Sequence, residues 1–111
     1  MIGAAQTDQI FSALGNTTRR ALLGLMVSDG EMAVQSLAER FEISRPSVSE
    51  HLKVLKDAGL VSERKAGRQR LYRIEAEPLL AARSWFDVYE EFWRNKMRDL
   101  RKVLDEENKH G

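Results

Sequence analysis

The chain has 111 residues, 42% apolar and 32% charged, with two prolines; this is the composition of a single ordered, helix-rich globular domain over 1–111 and excludes a disordered tail. Its lack of cysteine removes disulfides, thiolate metal ligands and thiol redox sensing together. The net charge of +1 says little until it is divided along the chain, because contact with polyanions depends on local charge.

From the N-terminus, Ile10, Phe11 and Leu14 fall at helical spacing behind Thr7 and Asp8, so a short helix is expected over residues 6–14, ended by Gly15. Asn16 can cap a second helix over 17–28, with an apolar stripe through Ala21, Leu22, Leu25 and Met26. Asp29 and Gly30 close it. Residues 31–34 suit one brief strand before a third helix that starts at Gln35 or Ser36 and reaches Arg40. After a turn at Glu42 and Ile43, Ser44 caps a fourth helix; Pro46 lies in its first turn, where no backbone donor is needed, and Gly59 ends it. Strands over 60–64 and 70–74 flank a loop from Lys65 to Gln69 whose Gly67 permits a positive φ. A long helix then runs from Pro78 to Asp105, leaving a polar, frayed end over 106–111. The expected class is mainly α with a small β-hairpin, in the order helix, turn, helix, hairpin that defines a winged helix-turn-helix.

Charge follows this order. Residues 1–43 carry 3 basic and 5 acidic side chains, 44–74 carry 8 and 3, and 75–111 carry 7 and 9. A basic middle between acidic flanks suits a phosphate-facing surface, although an ordinary solvated face has the same look. In the fourth helix Val48, Leu52 and Leu55 share one edge at i, i+4 and i+7 and must turn inward. Arg45, Ser47, Ser49, Glu50 and Lys53 then project sideways or outward, mostly from the N-terminal half that meets base edges in such modules. Arg45 can bond a guanine in bidentate fashion, the serines can reach bases or phosphates, and Glu50 can accept from cytosine. Ser44 belongs to the same segment, but a cap is its simpler role. His51 lies nearer the inward edge and suits packing or a phosphate bond better than metal ligation or catalysis. In the hairpin, Arg64, Lys65, Arg68 and Arg70 crowd a short loop with Gln69 beside them, where phosphate is the natural counter-charge. Leu71 and Ile74 are expected to pack inward, and Tyr72 on either side.

Three stretches carry a resemblance: Asn16-Thr-Thr-Arg-Arg-Ala-Leu-Leu, Ser44-Arg-Pro-Ser-Val-Ser-Glu-His-Leu-Lys-Val-Leu-Lys-Asp-Ala-Gly-Leu-Val, and Gly67-Arg-Gln-Arg-Leu-Tyr. Over residues 7–104 the chain resembles the ArsR/SmtB family of repressors. The resemblance implies a dimeric winged-helix repressor with Arg45, Ser47, Ser49 and Glu50 on its recognition helix and Arg68 and Gln69 at the wing tip. The better-known members bind metals through cysteines after the second helix or through histidines and acids in the last. Here Glu31-Met-Ala-Val-Gln replaces the thiol motif, and residues 80–104 contain no histidine. The chain is therefore more similar to the metal-free branch, regulated by other ligands or by protein partners, and neither a metal nor another cofactor is expected.

The last helix carries Trp85, Phe86, Tyr89, Phe92, Trp93, Met97, Leu100 and Leu104, more apolar surface than one small neighbouring unit can cover. Phe86, Trp93 and Leu100 recur every seven residues, although Lys96 interrupts the companion row. Pairing of residues 78–105, together with 1–14 through Ile10 and Phe11, is expected to form a homodimer whose recognition helices address a near-palindromic operator in double-stranded DNA. The inducer that releases it is a small molecule or a protein. The main alternative is a winged-helix interaction module for an acidic protein partner. Catalysis is not expected, since His51 and His110 are the only histidines and no glycine-rich phosphate loop occurs. No apolar run approaches the roughly 20 residues that span a bilayer, and no secretory signal opens the chain. A cytoplasmic protein without membrane contact is expected.

Overall fold

The computed structural model describes residues 3–110, and side chains over 3–108. Met1, Ile2 and Gly111 of the expected domain lie outside the described residues. The elements are α1 (Ala4–Leu14), α2 (Thr17–Asp29), β1 (Met32–Ala33), α3 (Val34–Phe41), α4 (Arg45–Asp57), β2 (Val61–Ala66), β3 (Gln69–Ile74) and α5 (Ala76–His110). They divide into two compact units, Met1–Ala81 and Ala82–Gly111.

In the first unit α1 joins α2 through the short turn at Gly15 and Asn16, and two arginines from the start of α2 reach back across it. Asn16 Oδ1 accepts from the Arg19 backbone N–H at 3.0 Å and so caps α2. Arg19 Nε donates to the Ala13 carbonyl at 2.7 Å, and Arg20 Nη1 to the Leu14 carbonyl at 2.7 Å. Both satisfy acceptors that α1 leaves open at its C-terminus. The α2 core face is Leu22, Leu23 and Met26; Ala21 points to solvent and Leu25 is half-buried. The buried arc is thus rotated from the expected stripe: Leu23 belongs to it and Ala21 does not, on a helix that packs against α1, α4 and β3.

The helix-turn-helix closes on Leu37 and Ala38 of α3 against Val48, Leu52 and Leu55 of α4, all but Ala38 fully buried. Each of the large ones contributes about 1.5–3 kcal/mol by leaving water. The turn between these helices sets Glu42 at φ +54, a left-handed conformation usually left to glycine. It lets the Ile43 N–H reach back to the Ala38 carbonyl at 3.4 Å. Ser44 caps α4 as expected, accepting from the Ser47 N–H at 3.2 Å. The other end of α4 is a Schellman closure: Leu60 N–H bonds the Leu55 carbonyl and Gly59 N–H that of Lys56, both at 2.9 Å, with Gly59 at φ +79. Leu55 and Leu60 are both fully buried, supplying the apolar contact that accompanies this motif.

The sheet is antiparallel in the order β1-β3-β2. β2 and β3 pair from Val61↔Ile74 to Ala66↔Gln69, so the expected five-residue loop is a tight turn of Gly67 and Arg68. Gly67 has φ +62 and Arg68 does not share the sign, the pattern of a type II′ turn, whose twist suits a hairpin. Strand alternation separates Leu71 from Tyr72 and Ile74. Tyr72 is the buried one, whereas Leu71 and Ile74 are only half-buried. The second unit consists of the remainder of α5, a single helix that continues past the expected end at Asp105 to His110. None of the described helices is long and apolar enough to cross a membrane.

Candidate nucleic-acid interface

With its aliphatic edge anchored, α4 presents Arg45, Pro46, Ser49, Glu50 and Lys53 to solvent. Ser44 and Ser47 are occupied with one another: beyond the backbone cap, Ser44 Oγ donates to Ser47 Oγ at 3.0 Å. Among the described residues Arg45 and Lys53 form no ion pair or hydrogen bond with the protein, leaving their donors open. His51 is half-buried beside Leu52.

An open cleft of ≈ 610 Å³ lies between the start of α4 and the wing tip. It is lined by Arg45, Pro46 and Ser49 from α4, by Arg68, Gln69 and Arg70 from the wing, and by Ala33, Val34 and Gln35 from β1 and the start of α3. The fold thus brings together two groups of polar side chains that stand some twenty residues apart in sequence. Gln35 and Pro46 are not among the site residues expected from the sequence; Pro46 comes with the first turn of α4, and Gln35 follows from β1 pairing with β3, a contact that two strand residues cannot announce.

The cations of the wing do not act alike. Lys65 and Arg68 are exposed and without a protein partner among the described residues. Arg64 departs from the expected phosphate-facing set: the strand period turns it away from Lys65, and Glu31 engages it through Arg64 Nε at 2.8 Å and Nη2 at 2.7 Å. Those bonds hold the Glu31 carboxyl below its ordinary range. Arg70 lines the cleft but also donates to Glu63 Oε2 at 3.3 Å. The same carboxylate accepts from Tyr72 Oη at 2.7 Å and pairs with Lys56 of α4. Lys56 and then Tyr72 bring the Glu63 carboxyl down to about 2. Burial, reinforced by the bond to Glu63, lifts the Tyr72 hydroxyl to about 12. On the outer part of the sheet, Ser62 Oγ donates to Glu75 Oε1 at 2.6 Å and Arg73 pairs with the same carboxylate.

In α5, Trp85, Phe86, Tyr89, Phe92, Trp93, Met97, Leu100 and Leu104 are each about half exposed or more, with Trp93 at 62%. Trp85 and Tyr89 rings lie 4.8 Å apart, and Lys96 Nζ sits 5.5 Å from the Phe92 ring, so the residue that interrupts the apolar row still covers an aromatic face. Ile10, expected at a surface between subunits, is instead fully buried in the protomer; its side chain has no area left for a second chain. Phe11 is half-buried. Among the described residues no group of three or more His, Cys, Asp or Glu is arranged to hold a metal ion.

A family model described as bacterial regulatory protein, arsR family, matches residues 16–63, the span from the α2 cap to Glu63. The chain is 39% identical over 100 residues to the HTH-type transcriptional regulator Rv2034 of Mycobacterium tuberculosis, covering 90% of each chain. It is 35% identical over 78 residues to the transcriptional repressor SdpR of Bacillus subtilis, covering 70% of this chain and 86% of that one. Among solved structures, the homodimeric winged helix-turn-helix DNA-binding domain Mb0332 from Mycobacterium bovis superposes with a TM-score of 0.65 at 28% identity, over 82% of this chain and 92% of the other.

Proposed function

The chain belongs to the ArsR family of bacterial transcriptional regulators, and from that premise we propose that it binds duplex DNA sequence-specifically as a homodimeric repressor. The observation that carries this reading is the shared cleft: Arg45 and Ser49 of α4 face Arg68 and Gln69 of the wing, with the donors of Arg45 and Arg68 unspent on the protein. In this arrangement α4 enters the major groove, Arg45 and Ser49 meet base edges, with Glu50 and Lys53 beside them, and the wing tip holds the adjacent backbone through Lys65 and Arg68. Ser47 and His51 serve as secondary polar contacts at the margin, and Ser44 acts through its cap. No enzymatic step is assigned, and duplex DNA as the target places the protein in the cytoplasm.

The exposed aromatic row of α5, from Trp85 to Leu104, supports pairing with a second copy, as does the homodimeric state named for the Mycobacterium bovis relative. A two-fold dimer requires half-sites about one helical turn apart, roughly 34 Å, and hence a near-palindromic operator. Repression by occlusion follows: the bound dimer excludes polymerase until a signal stabilises a geometry that misplaces the recognition helices. With no cysteine in the chain, that signal is not thiol chemistry; a non-metal small molecule or a protein fits the residues present.

The decisive experiment is selection of bound duplexes from a randomised pool by the purified protein. Enrichment of an inverted repeat with half-sites one turn apart is expected. Failure of a folded protein to prefer any sequence at moderate salt would turn the reading toward recognition of an acidic protein partner.

A further inference from the structure

Glu63 is the only acid between Val61 and Ile74, a hairpin that otherwise carries five basic side chains. A lone carboxylate there lowers the attraction for phosphate, and exposed ion pairs contribute little to stability. Its geometry supplies a reason for its presence. One carboxylate gathers a cation from the last turn of α4 (Lys56), a hydroxyl from the middle of β3 (Tyr72 Oη, 2.7 Å) and a cation from the cleft lining (Arg70, 3.3 Å). Tyr72 is buried, so its hydroxyl gives the carboxylate a fixed donor, and the two cations bond to the carboxylate held there. Of the arginines that line the cleft, Arg70 is held this way, while Arg45 and Arg68 remain open among the described residues.

We propose that Glu63 is a positioning residue for sequence discrimination: it locks the wing to the recognition helix and keeps Lys56 and Arg70 from indiscriminate phosphate contacts. The proposal rests on the DNA-binding reading above. A carboxyl brought down to about 2 stays ionised throughout the physiological range, so the lock is permanently set and does not act as a pH switch. Two cations with a committed partner contribute less to non-specific affinity than two free ones, and a wing fixed relative to α4 offers its donors in a single register.

The test compares wild type, Glu63→Gln and Tyr72→Phe on a selected duplex and on a random-sequence duplex over a range of salt. The amide of Glu63→Gln is isosteric and can still accept from Tyr72, so the hairpin is retained; circular dichroism checks this. For Glu63→Gln the expected result is tighter binding to the random duplex, a logarithmic salt slope steeper by about 1 to 2 as the freed cations reach phosphates, and a several-fold fall in the selected-to-random ratio. Tyr72→Phe keeps the charge and should lower the ratio with little change of slope. A merely structural role would weaken both duplexes together. Ratios and slopes equal to wild type in both folded variants would overturn this inference alone, whereas a wild type that prefers no duplex would overturn it together with the DNA-binding reading.

Discussion

Glu31 and Arg64 are 33 residues apart in the chain and meet through two nearly parallel N–H···O bonds of 2.8 and 2.7 Å. This bidentate pair ties the turn after α2 to the middle of β2. Among the described residues Glu63 and Glu75 also fasten the sheet by a carboxylate.

All three carboxyls lie below their ordinary value of 4.5, with Glu63 at about 2. Depressed folded-state values mean that the stability they contribute is present above about pH 4.5 and is lost as pH falls through the folded values. The thermal midpoint should therefore drop between about pH 4.5 and 2, and Glu63→Gln should show a shallower drop. A wild-type midpoint that stays level across this window would contradict the assignment.

Ser44→Ala removes the side-chain acceptor of the Ser47 N–H and should cost about 1 kcal/mol, read from urea denaturation. DNA affinity should fall only in proportion to the loss of folded protein. A variant of unchanged stability with sharply weaker binding would instead make Ser44 a direct contact.

Glu42 occupies φ +54 at the end of α3. Glycine adopts that conformation without the 1–2 kcal/mol steric cost, against which its greater freedom when unfolded counts about 0.5–1 kcal/mol. Glu42→Gly is thus expected to raise stability by up to about 1.5 kcal/mol; a clear loss on denaturation would show that the glutamate side chain supports the turn.

Arg45→Ala and Arg68→Ala should differ in kind. The first should relax preference at one base position, costing about 1–3 kcal/mol on the selected duplex alone if the guanine contact is made. Arg68→Ala should weaken all duplexes evenly and lower the salt slope by about 1. Matching profiles for the two variants would remove the distinction between α4 and the wing.

Trp93→Glu combined with Leu100→Glu places charge on two exposed positions seven residues apart on α5. Sedimentation should then report monomers, with operator affinity lost and helical content of the chain retained. A persistent dimer would move the interface away from this face.

Much of the architecture was legible in the chain because its signals are local. The Asn16 and Ser44 caps, Pro46 in a first turn, the Val48, Leu52 and Leu55 edge, and Gly67 in the hairpin each act within a few residues. The misplacements have equally specific causes. The expected α2 face differs because Leu23 also belongs to the buried arc, and the expected wing loop is too long because Lys65, Ala66 and Gln69, two polar residues and a small one beside Gly67, are paired strand residues. Ile10 is expected in the subunit interface but lies in the protomer core, because helical periodicity marks an apolar face without telling which neighbour covers it.

Residue order was sufficient to establish a basic segment carried by a helix, a turn, a helix and a hairpin, since capping, periodicity and turn chemistry operate over short separations. Only the folded chain decided which cations remain available: Arg64 is taken by Glu31 and Arg70 by Glu63, while Arg45 and Arg68 stay open beside one cleft. Such pairings depend on strand register and on which residues distant in sequence meet in space, and charge counted along a chain contains neither.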